Sequence, residues 1–300
     1  MNDYDKLFEN SAEGSEVMYS KVDPAFDKEA WIERKRQERA DAYALLDEGT
    51  LVVAKDPESF RDYLNVQARF DRYSVSNAVL IAHQRRDATR IADFNSWEEE
   101  GVSVKKGEQS LVILEPGSEY TREDGTTGFS VNVKKVFDIS QTDSTEAVKR
   151  RTFDERSAIK ALVESSPCEI VLVKELKDAN ARYSPEHGKI FIASGLSAND
   201  IFRSLAYEIN IAKAASKGIS REENAFQSYC ASYILCERYG FDTGDFNFER
   251  VPERLANASA KDVRKELTII RDSANEISQD MTRRLEAVEK NKRARDDGAR

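Results

Sequence analysis

The chain opens with helical periodicity, changes to strand alternation, and then returns to helices. Residues 27–46 are rich in Lys, Arg, Glu and Ala at helical period, and 57–70 predict a second helix. Its proline at position 57 suits a first helical turn. A third helix starts near Ser74 and sets Val75, Val79, Leu80 and His83 at three-to-four spacing, with Ser74 or Ser76 as its cap. The period then drops to two. In GVSVKKGEQSLVILEP, Val102 and Val104 alternate, KKGE turns and 111–114 form a buried strand, which predicts a strand pair. EDGTTG is another hairpin turn and leads into FSVNVKKVFDIS, which alternates again. Residues 1–23 are polar and acidic, and are expected to be loose.

The polar, aromatic-free run QTDSTEAVKRR at 141–151 suggests a domain boundary. Beyond it, 153–165 predict a helix, 169–174 a strand, and 182–193 a hairpin turning at His187-Gly188. Two helices follow at 197–216 and 221–239, the second ended by Gly240. A last helix at 260–290 carries Val263, Leu267, Ile270, Ala274, Ile277, Met281 and Leu285 in a heptad-like stripe. That stripe is expected to pack on its own domain, and the polar end KNKRARDDGAR to fray. The fold class is α+β with two domains. The expected division is an N-terminal extension at 1–49, a helical and antiparallel-sheet domain at 50–142, a linker at 143–155, a second domain at 156–258, and a C-terminal helix and basic tail at 259–300.

Composition narrows the function. Hydrophobic residues make up 40% of the 300 positions, enough for a core, and 46 basic against 55 acidic residues give a net charge of −9. A uniformly basic nucleic-acid coat is excluded, while a local basic groove is not. Three cysteines without a CxxC or CxxH pair make neither a disulfide framework nor a zinc finger. The acidic start MNDYDKLFENSAEG is unlike a signal peptide, and no apolar run spans a membrane, so a cytoplasmic location is expected. GxxxxGK[ST], GxGxxG and GxSxG are all absent, which leaves nucleotide hydrolysis, dinucleotide redox and serine hydrolase chemistry without support. No cofactor is expected.

Arg85, Arg86 and Arg90 cluster at and beyond the end of the third helix, and Lys105, Lys106, Lys134 and Lys135 sit in turns or strands. Tyr63, Phe70, Tyr73, Phe94 and Trp97 are interleaved with them. Single-strand binders combine such cations for phosphates with flat rings on which bases stack. The same residues also fit solvated turns and core aromatics.

The ordered motifs F-x-x-YSVSNAVLIAHQ-x-x-DAT-x-x-x-x-F-x-x-W, GVSVKKGE, ILEP and VFDISQT resemble the N-terminal domain of ArdC/LtrC-type antirestriction proteins over about residues 50–142. The resemblance implies a module that binds single-stranded DNA, carried by plasmids, conjugative elements or phages. It places Tyr73, Asn77, Gln84, Trp97, Lys105, Lys106 and Gly107 on motif positions, with Arg85 and Arg86 beside them. Which of these touch DNA and which build the fold is left open by the sequence. Asn77 and Gln84 lie seven apart on one helical face.

The second half resembles that family's zincin-type metallopeptidase domain, in which a hairpin resembling NARYSPEHGKIFIA precedes an HExxH helix. Two histidines four apart would grip zinc, and the glutamate between them would take a proton from its bound water. Here the motif reads Tyr207-Glu208-Ile209-Asn210-Ile211, and Tyr229 stands at the third-ligand position. Only Glu208 remains, and the chain's two histidines, His83 and His187, fall elsewhere. The expectation is a pseudo-metallopeptidase that binds no metal, with Tyr207 and Tyr229 filling the vacated volume and their hydroxyls near Glu208. The alternative function is a groove that binds a host defence protein without cutting it. A cysteine peptidase pairing Cys230 or Cys236 with His187 has little support, since the cysteines lie on different helix faces.

Overall fold

The computed structural model describes residues 27–121, 124–146 and 152–298, with side chains to 287. The expectation for 1–23 falls outside these residues. The first helix, α1 (Lys28–Lys55), runs nine residues past its expected end because Leu46, Val53 and Ala54 continue its buried face. Among the described residues, those up to Glu38 belong to one unit and those from Arg39 onward to a second. In the first unit, Lys35 pairs with Glu38 one turn away at 2.8 Å.

In the second unit, α2 (Pro57–Arg69) starts at Asp56, whose carboxylate accepts the Ser59 N–H at 2.7 Å, with the proline in the first turn. It buries Phe60, Tyr63, Leu64 and Val66 on one side. Ser74 caps α3 (Val75–Gln84), as its sequence signal implies. A short strand β1 (Ile91–Ala92) and α4 (Phe94–Glu99), capped by Asp93, precede the long hairpin of β2 (Leu111–Thr121) and β3 (Thr127–Asp138). The sheet is antiparallel in the order β1-β3-β2, so β2 is an edge.

The expected pairing of Val102 and Val104 with 111–114 does not form. Val104 instead makes an isolated bridge to Thr142, and β2 takes β3 as its partner. The physical reason lies in 139–143. Lys105 N–H donates to the Gln141 carbonyl at 2.9 Å and Asp143 N–H to the Ser103 carbonyl at 2.9 Å, so the loop is held by a segment distant in sequence. Gly107 follows at φ +89, a left-handed turn conformation that suits glycine.

The second half begins with α5 (Glu155–Glu164) and a mixed sheet of β4 (Ile170–Val173), β5 (Ala181–Ser184) and β6 (Lys189–Ala193) in the order β4-β6-β5. β5 and β6 form the expected hairpin, β4 runs parallel to β6, and β5 is an edge. Helices α6 (Ala198–Ser216) and α7 (Arg221–Tyr239) follow. A Ser220–Glu223 capping box starts α7, and Gly240 at φ 79 ends it. A short α8 (Val251–Leu255) leads to α9 (Ala260–Gly298).

All seven stripe residues of α9 are buried. At roughly 1.5–3 kcal/mol for each large apolar side chain, this burial far outweighs helix propensity. The stripe packs on α5, α6 and α7, and also on α3 from the first half. With α2 against α7, the expected boundary at 143–155 does not divide the core, which runs from Leu46 to Leu285. Residues 147–151 of that linker lie outside the described residues.

Candidate functional site

The face of α3 that carries Asn77 and Gln84 lies against the free edge of β2. The Asn77 amide donates to the Leu114 carbonyl at 2.7 Å and accepts the Leu114 N–H at 2.8 Å. Gln84 does the same at Val112, donating at 2.9 Å and accepting at 2.8 Å. Each amide carries a donor and an acceptor on one group, so each satisfies both outward backbone groups of one strand residue. This closes an edge that would otherwise expose unpaired backbone. These side chains are thus occupied in building the fold.

Trp97 belongs to the same framework. It is fully buried, and its indole N–H donates to the Phe137 carbonyl at 3.0 Å. The buried Asp138 carboxylate accepts the Thr89 and Arg90 N–H groups at 2.7 and 3.0 Å, which ties VFDIS to DAT-R. Lys105 donates to the Ser140 carbonyl at 3.0 Å, and Arg85 reaches Ser140 Oγ at 3.3 Å. Arg86 is exposed, with Glu58 and Asp62 at 3.5 and 3.4 Å, and Lys106 is exposed. The motifs that carry the resemblance are thus largely those that dock to one another.

An open groove of about 590 Å³ lies beside this framework, with Tyr43, Tyr73 and Phe129 on its walls and Arg72 next to them. Phe129 is 61% exposed and Tyr43 44%. Tyr73 is half-buried against Phe70 in an edge-on contact, and burial raises its hydroxyl pKa. Of the sequence candidates, only Tyr73 and Asn77 line this groove. Tyr43, Arg72 and Phe129 were missed. Their sequence signal was weak: Phe129 sits in an alternating strand where a ring on either face reads the same.

In the second half, Glu208 is buried on α6, yet it does not meet the tyrosines as expected. Its carboxylate accepts the Tyr183 N–H at 2.7 Å, and Arg221 donates to its two oxygens at 2.6 and 3.1 Å. Arg221 also donates to the Tyr183 carbonyl at 3.3 Å. The Tyr229 hydroxyl turns away and accepts the Asn247 N–H at 2.8 Å, its ring packed on Phe246. Tyr207 lies beside Arg221, whose guanidinium carbon is 6.0 Å from the ring centre. Burial lowers the Arg221 pKa, but the hydrogen bond and charge of Glu208 outweigh it and leave the value raised. Burial raises the pKa of both Tyr207 and Tyr229. Ile211 is buried in the core. A groove of about 400 Å³ remains, lined by Tyr207, Glu208, Arg221, Tyr229 and Phe246 among others.

Residues 46–157 match the family model for the N-terminal domain of anti-restriction factor ArdC. The chain carries an ArdC-type N-terminal domain. Two crystal structures of the antirestriction protein ArdC from plasmid R388 share the fold at 18% identity and a TM-score of 0.50. The metal-free one covers 70% of this chain and 86% of ArdC, the Mn(II)-bound one 73% and 97%. The likeness therefore extends well past the matched domain. An uncharacterized Bacillus anthracis protein, pXO2-81, is 23% identical over 74% of this chain. The chain spans 48% of that relative's length.

The donor set here does not fit a metal such as the Mn(II) of the R388 ArdC crystal. Among the described residues, no group of three or more His, Cys, Asp or Glu side chains is disposed to hold an ion. Beside Glu208 stand a phenol and a guanidinium, and the guanidinium already occupies the carboxylate. No step through a metal follows from this arrangement.

Proposed function

We propose that this chain is a single-stranded-DNA-binding, antirestriction-type protein of a mobile element or phage, and that its second half is a zincin-like domain without peptidase activity. The observation that carries the DNA reading is the groove in which Tyr43, Tyr73 and Phe129 stand next to Arg72. Rings for stacking beside a cation for phosphate form the sequence-tolerant mode of single-strand recognition. The antirestriction context rests on the ArdC-type domain, and the mobile-element context on the relative from plasmid pXO2. A cytoplasmic location is part of the same reading. No described helix is long and apolar enough to cross a membrane.

Fluorescence anisotropy with a labelled single-stranded oligonucleotide tests this reading. Binding should weaken steeply with salt through counterion release. Phe129→Ala should weaken it by roughly 5- to 150-fold, the value of one stacked base at about 1–3 kcal/mol. Absence of binding at micromolar protein and low salt overturns the reading.

The inactive reading of the second half is supported by the Arg221 guanidinium on Glu208, which occupies the carboxylate that the family pattern would use as the base. One equivalent of bound metal per chain, lost in Glu208→Gln, would overturn it. The remaining groove beside Tyr207 and Tyr229 supports the second reading, binding of a host defence protein without cleavage. That interface should respond less to salt than DNA binding does.

A further inference from the structure

A second and larger cleft, of about 1070 Å³, opens beside the aromatic groove. Asp71, Arg72 and Tyr73 form one wall, Arg238 from α7 contributes the inner part, and Arg271 and Asn275 of α9 form the other wall. Arg72 and Tyr73 line both cavities.

Two buried polar atoms in this cleft lack a hydrogen-bond partner: Arg238 Nη1, a donor, and Asn275 Oδ1, an acceptor. The rest of each side chain is fixed. Arg238 Nε and Nη2 donate to the Ala68 and Gln67 carbonyls at 3.2 Å each, capping the end of α2. Asn275 Nδ2 donates to the Asp71 carbonyl at 3.2 Å. Buried polar atoms are nearly always satisfied, so an orphaned donor and acceptor on one cleft call for a ligand that both accepts and donates. A nucleotide does both, through phosphate oxygens and base N–H groups.

Most of the charged side chains here, acidic and basic, are paired. Arg271 donates to Asp272 at 2.9 and 2.6 Å, and Glu276 accepts from Lys213 and Lys217 at 2.8 and 3.0 Å. Asp71 is exposed at the rim.

We propose that the cleft between 71–73, α7 and α9 is a second segment of the single-strand track, in which the C-terminal helix binds nucleotides beyond those stacked in the aromatic groove. This rests on the single-strand reading above. It assigns α9 a binding role in addition to its packing role, and it explains why the helix is anchored against both halves of the chain.

The test is anisotropy with oligothymidylates of about 4 and about 16 nucleotides, the range of single-strand site sizes. Three variants change the cleft wall without touching Arg238, which α2 needs: Arg271→Gln, Arg283→Gln, at a wall residue of α9 that pairs with Asp280, and Gln279→Glu. Gln279 is exposed on α9, so its substitution adds a negative charge and removes no bond that holds the fold. Thermal midpoints should match wild type for Gln279→Glu. The expected result is a loss of about five- to tenfold for the long oligomer in each variant, with affinity for the short one unchanged. Each phosphate contact removed should lower the salt slope by about 0.7. If Phe129→Ala weakens binding while all three cleft variants bind the long oligomer like wild type, this proposal falls and the single-strand reading stands. If neither oligomer binds wild type, both fall together.

Discussion

Each half of the molecule contains a three-stranded sheet with a free edge turned toward helices, and the two edges are closed by different chemistry. On β2, two neutral amides from one helix cover Val112 and Leu114. On β5, the two backbone groups of Tyr183 are divided between a carboxylate from α6 and a guanidinium from α7. An amide carries donor and acceptor together, so each contact on β2 is complete in one residue. A carboxylate only accepts and a guanidinium only donates, so the β5 edge needs both partners, and they must neutralise one another. The first solution depends on the geometry of one helix. The second depends on the placement of two helices and on a charge kept at low exposure.

The largest effect should therefore come from splitting the charged pair. Arg221→Ala leaves Glu208, 4% exposed at its side chain, without a counter-charge. Removing one partner of a buried pair costs about 3–5 kcal/mol, and the lower end applies because Arg221 is itself 24% exposed. Urea denaturation should show the loss, and Glu208→Gln combined with Arg221→Met should recover most of it. A loss below about 1 kcal/mol for Arg221→Ala would mean that the charge is solvated and the contrast with β2 is false.

Next in size is Asn77→Leu, which strands the Leu114 N–H and carbonyl beneath a buried side chain. Its cost should be about 2 kcal/mol, within the 1–3 kcal/mol range for an unsatisfied buried group. Gln84→Leu should cost less, about 1 kcal/mol, because Gln84 is only partly buried and water can reach Val112. Equal losses at the two positions would argue against solvent access as the cause of the difference. Gln84→Leu should retain oligonucleotide binding once folded, since that side chain serves the strand edge and stands outside the ring groove, whereas Asn77 also lines the groove and its variant is read for stability alone.

The elements of this architecture were readable where local chemistry decides. The proline of α2, the cap of α3, Gly240 and the α9 stripe all fall where the sequence implies. The failures occur where a distant segment decides. Val102 and Val104 have strand alternation, but their partner is the segment around Thr142. Asn77 and Gln84 were visible as polar residues on one helical face, but a binding face and an edge-closing face look the same until β2 is placed. Arg221 was missed because its contact with Glu208 depends on how the chain turns between α6 and α7. One signal was available: a cation in the first turn of α7 opposes the helix dipole and calls for an acidic partner nearby. The ring groove was the least legible, because Tyr43, Tyr73 and Phe129 come from three separate elements.

The smallest expected effect tests whether charge matters in the first half at all. Asp93 caps α4 and pairs with Lys134 at 2.7 Å, in the open, with the two side chains 28% and 36% exposed. The hydrogen bond from Lys134, followed by those from Ser96, holds the Asp93 carboxyl down at about 2, and the Lys134 pKa is raised by the same contact. A depressed carboxylate contributes stability above its unfolded value, about 3.9, and that contribution is lost as pH falls toward 2. The raised lysine gives the opposite window: its contribution is present below the ordinary value of 10.5 and is lost as pH rises through the folded value. Asp93→Asn keeps an oxygen to accept the Ser96 N–H, so the cap survives while the charge is removed. The variant should be less stable than wild type by under about 1 kcal/mol between pH 5 and 9, the scale of an exposed ion pair. The gap should close at both ends of the pH range and shrink in high salt. A gap as large as that of Arg221→Ala would mean that exposure does not set the worth of a charge in this fold, and the distinction between the two halves would have to rest on geometry alone.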